Sequence, residues 1–152
     1  MTEAELAARL ARDLGPLAAD AEWSATATAG QAQGHYTDAI SDAKAVLGVD
    51  GALADATLSS NQLLELKARA LLGCLERLEL HYTTLVDSSA GTGAGAQVQK
   101  LSQVQAGIAR VRTRLATAVH AQSSVATAPA TGVNVRGQKR PDYSLGEGNE
   151  EA

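Results

Sequence analysis

The sequence predicts an all-α protein: a helical bundle built on a long antiparallel αα-hairpin, with an extended C-terminal arm. Two apolar ladders predict the hairpin, because residues spaced alternately by four and three share one side of a helix. The ladders are Leu64, Ala68, Leu71, Leu75, Leu78, Tyr82 and Leu85, and then Leu101, Val104, Ile108, Val111, Leu115 and Ala118. A short glycine-rich stretch separates them, so we expect the two stripes to fold back and bury each other.

Local signals set the boundaries of the predicted helices. Thr2 and Glu5 have the spacing of a capping box, and Gly15-Pro16 ends the helix that follows. Ser59 or Ser60 caps the longest helix, which would extend for roughly 40 Å. The four predicted helices cover about residues 2–14, 36–47, 60–86 and 97–121.

The remaining segments are predicted to be irregular. Residues 17–34, around Trp23, are expected to form one helical turn at most, and the glycine-rich residues 87–96 a flexible loop. From Gln122 onward, small residues and a proline are followed by no core-forming pattern. The predicted domains are therefore a helical body, 1–121, and an extended arm, 122–152.

Composition favours stability gained through assembly. The 152 residues contain no phenylalanine and a single tryptophan, and alanine makes up much of the apolar fraction of 45%. Alanine favours helix but buries little area, at about 25 cal/mol per Å². A lone subunit is thus expected to be only marginally stable, and a homo-oligomer is the expected state.

The net charge of −4 hides a strong segregation of charge. Residues 1–87 carry 13 acids and 6 bases, residues 88–141 carry 7 bases and no acid, and residues 142–152 carry 4 acids and no base. Such blocks of charge bear on partners and solubility. The acidic N-terminus does not resemble a secretory signal, and no apolar run is long enough for a membrane partner to be expected.

No catalytic, metal or cofactor site is predicted. Gly91 and Gly93 match the letters of a dinucleotide-binding turn, but that site also needs a preceding strand and a later acid, and no acid occurs between Ser88 and Pro141. The remaining candidate groups have no partners at the spacing that metal binding or nucleophilic catalysis requires; they are His35, His81, His120, Cys74, Ser59, Ser60, Ser123 and Ser124. The expectation is a protein that is not an enzyme.

Trp23 and the single cysteine bear on packing and on the redox compartment. Trp23 is interpreted either as a plug over the helical core or as an anchor at a subunit contact, with the plug preferred. Cys74 cannot form an internal disulfide, which leaves the redox compartment open with a lean towards the cytoplasm.

A basic helix face is the first candidate interaction site. Arg110 and Arg114 lie one turn apart, Lys100 belongs to the same helix, and Arg112 projects elsewhere. These bases either pair with acids such as Glu65, Glu76 or Glu79 across the hairpin, or face a phosphate backbone or an acidic protein. The sequence leaves both interpretations open.

The C-terminal arm is the second candidate interaction site. Valines alternate there as in a short edge strand, and basic residues are interleaved with an aromatic one. The candidate partner-binding residues are Val133, Val135, Arg136, Lys139, Arg140, Tyr143 and Leu145. Such a segment binds by adding a strand or by ordering on a partner surface, and the alternative is a solvated tail.

Two short helices, a long helical hairpin and an extended arm together resemble the head–tail connector (adaptor) proteins of tailed bacteriophages. The resemblance covers the whole chain but rests on architecture alone, without a matching motif. It implies a structural protein of the virion, assembled in the bacterial host cytoplasm, that forms a ring, twelvefold in many of these proteins. The arms would bind the portal protein, and a further tail or connector protein would bind the ring. The ring would continue the channel through which DNA passes and would contact that DNA non-specifically.

Two rival functions follow from the same features. The first is a non-enzymatic, nucleic-acid-associated helical protein that uses Lys100, Arg110 and Arg114 on phosphates. The second is a secreted helical-hairpin protein that dimerises into a four-helix bundle, which the position of Trp23 disfavours, since that family keeps its tryptophan in the turn of the hairpin.

Overall fold

The structure, a computed structural model, describes residues 1–27, 34–89 and 93–127, without the side chains of 120–127. The described part of the chain is helical and contains no strand. Its helices are α1 (Glu3–Leu14), α2 (Pro16–Asp20), α3 (His35–Leu47), α4 (Ser60–Ser88) and α5 (Ala94–Thr127). The predicted helical fold with a hairpin of its two longest helices is thereby confirmed.

The predicted capping box of α1 is present, and Ser59, one of the two serines predicted to cap α4, caps it as part of a second box. Thr2 Oγ1 accepts from the Glu5 backbone amide at 3.2 Å while the Glu5 carboxylate accepts from the Thr2 amide at 2.9 Å. Ser59 and Gln62 form the same reciprocal pair at the start of α4. These contacts satisfy amides that have no partner inside a helix, and so fix where α1 and α4 begin.

Helix α4 is packed on two sides. One side faces α3, where a Cβ on Gly73 would lie 3.4 Å from the Ala39 Cβ, so the two backbones approach closely. The other side faces α5, where a Cβ on Gly107 would lie 3.3 Å from a methyl carbon of Leu75. Each of the two contacts therefore includes a glycine, which is Gly73 of α4 in the contact with α3 and Gly107 of α5 in the contact with α4.

The side of α4 towards α3 was missed by the predicted ladder. Leu66, Ala70 and Cys74 are fully buried, at successive spacings of four, although none of them belongs to the ladder. Arg77 continues this side and binds Asp38 and Asp42 of α3, at 3.4 and 2.7 Å. Ala70 and Cys74 are small side chains that add little to an apolar pattern, so the sequence indicated only the more regular leucine ladder.

The ladder itself is buried only in its middle. Leu75, Leu78 and Tyr82 of α4 are buried, as are Val104, Ile108 and Val111 of α5. The prediction was wrong at the open end of the hairpin, where Leu64 is 67% exposed. Ala118 is exposed as well. The two apolar ladders therefore bury each other less towards the start of α4.

The short helices close the core on a third side. Leu6, Leu10 and Leu14 of α1 are buried, and the Tyr82 hydroxyl of α4 donates to the Leu17 carbonyl of α2 at 2.7 Å. Lys67 of α4 binds Asp13 of α1 at 3.0 Å. A single cluster of apolar side chains thus holds α1, α2, α3, α4 and α5.

The chain divides into two compact units, Met1–Ala118 and Val119–Ala152. The predicted body ended at residue 121, but α5 continues to Thr127, so the first six residues assigned to the arm are helical. The alanines at 121 and 126 favour helix, and the helix continues through Ser123 and Ser124, where the sequence predicts that it ends. Residues 128–152, and with them the rest of the predicted arm, lie outside the described residues.

None of the described helices is both long and apolar enough to cross a membrane.

Candidate functional site

The strongest candidate interaction site is the outer face of α5. Arg110 and Arg114 lie one turn apart on this face, and both are exposed. Arg110 Nε donates to the Ala106 carbonyl of its own helix at 3.2 Å. Among the described residues, neither arginine forms an ion pair with a carboxylate. Two guanidinium groups are therefore available to a partner.

The other two bases of α5 are engaged within the molecule. Lys100 Nζ binds Asp20 Oδ2 at 2.6 Å and lies 5.9 Å from the centre of the Tyr82 ring. The hydrogen bond to Asp20 raises the pKa of Lys100. Arg112 binds Glu76 at 2.9 Å. Lys100 thus belongs to the contact between α5 and α2, and the predicted face of Lys100, Arg110 and Arg114 is reduced to its two arginines.

The two interpretations of the basic helix therefore apply to different residues. Of the acids expected across the hairpin, Glu76 accepts from Arg112, and Glu79 accepts from Gln105 at 3.1 Å. Glu65 instead binds Arg69, one turn along its own helix. Intramolecular pairing thus accounts for Arg112, while Arg110 and Arg114 remain on the surface. Asp20 is the acid that the sequence did not indicate.

A second surface is the stripe of exposed side chains on α4 around Leu80. Leu80 is 70% exposed, the largest exposure among the large apolar side chains of the described residues. Glu76 precedes it by one turn, and Asp87 follows two turns later on the same side. Asp87 is exposed and has no basic partner among the described residues. Exposed acids around a leucine mark this side as a docking candidate.

Trp23 acts as a plug, as preferred from the sequence. Its ring stacks on His35 with centroids 4.4 Å apart and meets the edge of Tyr36 at 5.4 Å. It is partly buried and packs against the apolar core. Trp23 thus covers the start of α3.

The titratable groups of the described residues do not assemble into a reactive site. No cluster of three potential metal ligands occurs among them. Cys74 is fully buried, and burial raises the pKa of its thiol to about 12, which keeps it in the unreactive protonated form. His81 packs edge-on against Tyr82, 5.2 Å between ring centres. The side chain of His120 lies outside the described part.

Neither the glycine motif nor the arm can be placed as a site. Gly91 lies outside the described residues, and what precedes it is helix α4 instead of the strand that a dinucleotide-binding turn requires. The candidate arm residues also lie outside the described part of the chain; they are Val133, Val135, Arg136, Lys139, Arg140, Tyr143 and Leu145.

Comparison of the chain with models of protein families, with curated proteins and with solved structures finds no match.

The Trp23–His35 stack predicts a dependence of stability on pH. Burial, followed by the charge of Arg77, lowers the pKa of His35 below 6.5, against the opposing effect of Asp38. As pH falls through 6.5, His35 therefore binds a proton in the unfolded chain but not in the folded chain, and the free energy of unfolding decreases until the folded pKa is reached. Urea unfolding followed by fluorescence of Trp23, the single tryptophan, should show this loss as the pH falls below about 6.5.

The matched variants are His35→Gln and His81→Gln. We expect the first to weaken the dependence on pH in this range and the second to leave most of it. A dependence that is unchanged in His35→Gln would contradict the assignment to the stacked histidine.

Proposed function

We propose that this chain is a non-enzymatic structural subunit that assembles with copies of itself into a ring, in the manner of the phage head–tail connector proteins that its architecture resembles. In this proposal the ring belongs to the virion and is assembled in the host cytoplasm. Residues 122–152 bind the portal protein, a further tail or connector protein binds the ring, and the ring continues the DNA channel.

The observation that carries the proposal is the amount of apolar surface left uncovered on a small subunit. Val46, Leu64, Leu80 and Val98 are each at least 50% exposed, at 65, 67, 70 and 50%. Three of them lie on α4 and α5. Single exposed leucines are common, but each would gain on the order of 1 kcal/mol or more if it were covered by a neighbouring copy. Assembly would supply the burial that an alanine-rich core lacks.

The long helices also have the geometry of an assembly element. Helix α5 has 34 residues, roughly 50 Å at 1.5 Å each. Its buried residues within the described side chains, Val104, Ile108 and Val111, all lie on one face. The rest of the helix contains no acid, and its exposed surface carries the two unpaired arginines. A helix covered on one face only can contact a second molecule without any change of fold.

The mass of the purified full chain tests the proposal. We expect native mass spectrometry or light scattering at micromolar concentration to show a closed oligomer whose mass is a fixed multiple of 15.6 kDa. Dilution should convert the oligomer into subunits, because the interface must repay the entropy of association. A particle of 15.6 kDa at every concentration tested would contradict ring assembly.

A nucleic-acid-associated protein remains the second candidate, and the unpaired arginines are the observation that favours it. Arg110 and Arg114 are spaced by one turn, on a helix without acids. Such a pair can contact successive phosphates without reading the bases. The net negative charge of residues 1–87 opposes this function, since it would repel the phosphates of the nucleic acid.

A gel-shift titration in rising salt tests this second function. If the arginines bind phosphates, Arg110→Gln/Arg114→Gln should weaken binding to random-sequence DNA and reduce the slope of log K against log salt by about 2. The matched control is Arg9→Gln/Arg12→Gln, which changes two exposed arginines of α1. Equal losses in the two pairs, or no binding by the unchanged chain at 50 mM salt, would contradict the function.

A further inference from the structure

We propose that the outer face of α5 in one copy docks on the exposed side of α4 in the next, an inference that rests on the ring assembly proposed above. The basic face is defined by Ala106, Ala109, Arg110, Thr113 and Arg114. The acidic stripe is defined by Glu76, Leu80 and Asp87. The occupant of the acidic stripe is thus the basic face of a second copy of this chain.

The basic face offers charge that its own subunit does not neutralise. Arg110 and Arg114 are one turn apart, so their side chains start about 6 Å from each other and can reach two acids at once. The residues between and beside them are small and exposed: Ala106, Ala109 and Thr113. A second helix can therefore come close enough for the arginine stems to cover an apolar side chain while their guanidinium groups reach its flanks.

The acidic stripe offers the complementary pattern. Leu80 is 70% exposed and lies between Glu76 and Asp87 on one side of α4. The Glu76 side chain remains 46% exposed although it already accepts from Arg112. Asp87 has no basic partner among the described residues. A basic face placed here would bury Leu80 and pair with both acids.

Helix geometry prevents the two surfaces from meeting within one subunit. Arg112 is the α5 residue that reaches Glu76 of its own chain. Residues two positions away are rotated by about 200° around the helix axis, which turns Arg110 and Arg114 away from that acid. Because the donor and acceptor surfaces differ, the contact is heterologous, and a heterologous contact forms a ring when its rotation closes.

Complementary charge exchange in the full chain tests this interface by native mass spectrometry. Variant A is Arg110→Glu/Arg114→Glu, and variant B is Leu80→Lys/Asp87→Lys. None of these four residues has an ion pair within the described part of the subunit, so both variants should fold, with helix content by circular dichroism as the check. The matched control is Arg9→Glu/Arg12→Glu on α1, which should leave the assembly intact.

We expect A alone and B alone to fall to single subunits of 15.6 kDa. An equimolar mixture should give closed oligomers in which A and B alternate, because the intact stripe of A accepts the intact face of B and the exchanged charges of the other two surfaces also attract. A chain that carries all four changes should recover the closed oligomer, since the exchanged charges again attract.

The outcomes separate the interface from the proposed function. An unchanged chain that is a single subunit overturns both. An unchanged chain that forms a closed oligomer, while A and B retain the mass of the control, leaves ring assembly standing and overturns this interface. Mixtures of A and B that stay single subunits overturn the heterologous pairing.

Discussion

The close approach of α3 and α4 at Gly73 is the contact on which the rest of the structure depends. The absence of a side chain there brings Gly73 against Ala39, with Ala70 and Cys74 buried alongside. Arg77 then lies near enough to α3 to bind two aspartates. Because α3 is fixed on one side of α4, the opposite side is left for α5, and α4 becomes the central helix of the body.

This arrangement also determines which surfaces are available to partners. A small protein that surrounds one central helix can cover only one face of each outer helix. Helix α5 is covered through Val104, Ile108 and Val111 and exposes its basic outer face, and α4 itself leaves Leu80 exposed. The candidate interaction surfaces are thus consequences of the packing order, and both lie on the hairpin.

The sequence was informative where one strong local signal decided the outcome. The capping box at Thr2, the serine cap of the longest helix and the leucine ladders placed these helices and the hairpin correctly. The second packed side of α4 was not predictable in the same way, because Ala70, Gly73 and Cys74 contribute little to an apolar pattern and act through their small size. The ion pair of Lys100 was equally unpredictable, since its partner Asp20 lies eighty residues earlier in the chain. A single charged residue carries no information on such a distant pairing.

The exposed ends of the ladders have a related cause. Periodicity states which residues share a side of a helix, but the length of the neighbouring surface decides how many are covered. Leu64 and Ala118 continue their ladders in sequence and are nevertheless exposed. Whether a residue such as Leu80 lies on a free side depends in turn on how many helices surround α4, which is a property of the whole packing and not of α4 alone.

The most direct test of the central claim is the free energy of unfolding of Gly73→Val, measured by urea denaturation against Gly95→Val. At Gly73 the added side chain must push α3 away from α4, whereas a Cβ at Gly95 meets nothing within 4 Å. The account predicts that Gly73→Val loses about 1–3 kcal/mol relative to the unchanged chain, as overpacking does, and that Gly95→Val loses little or none. Equal stability of the two variants would contradict the tight contact of α3 with α4.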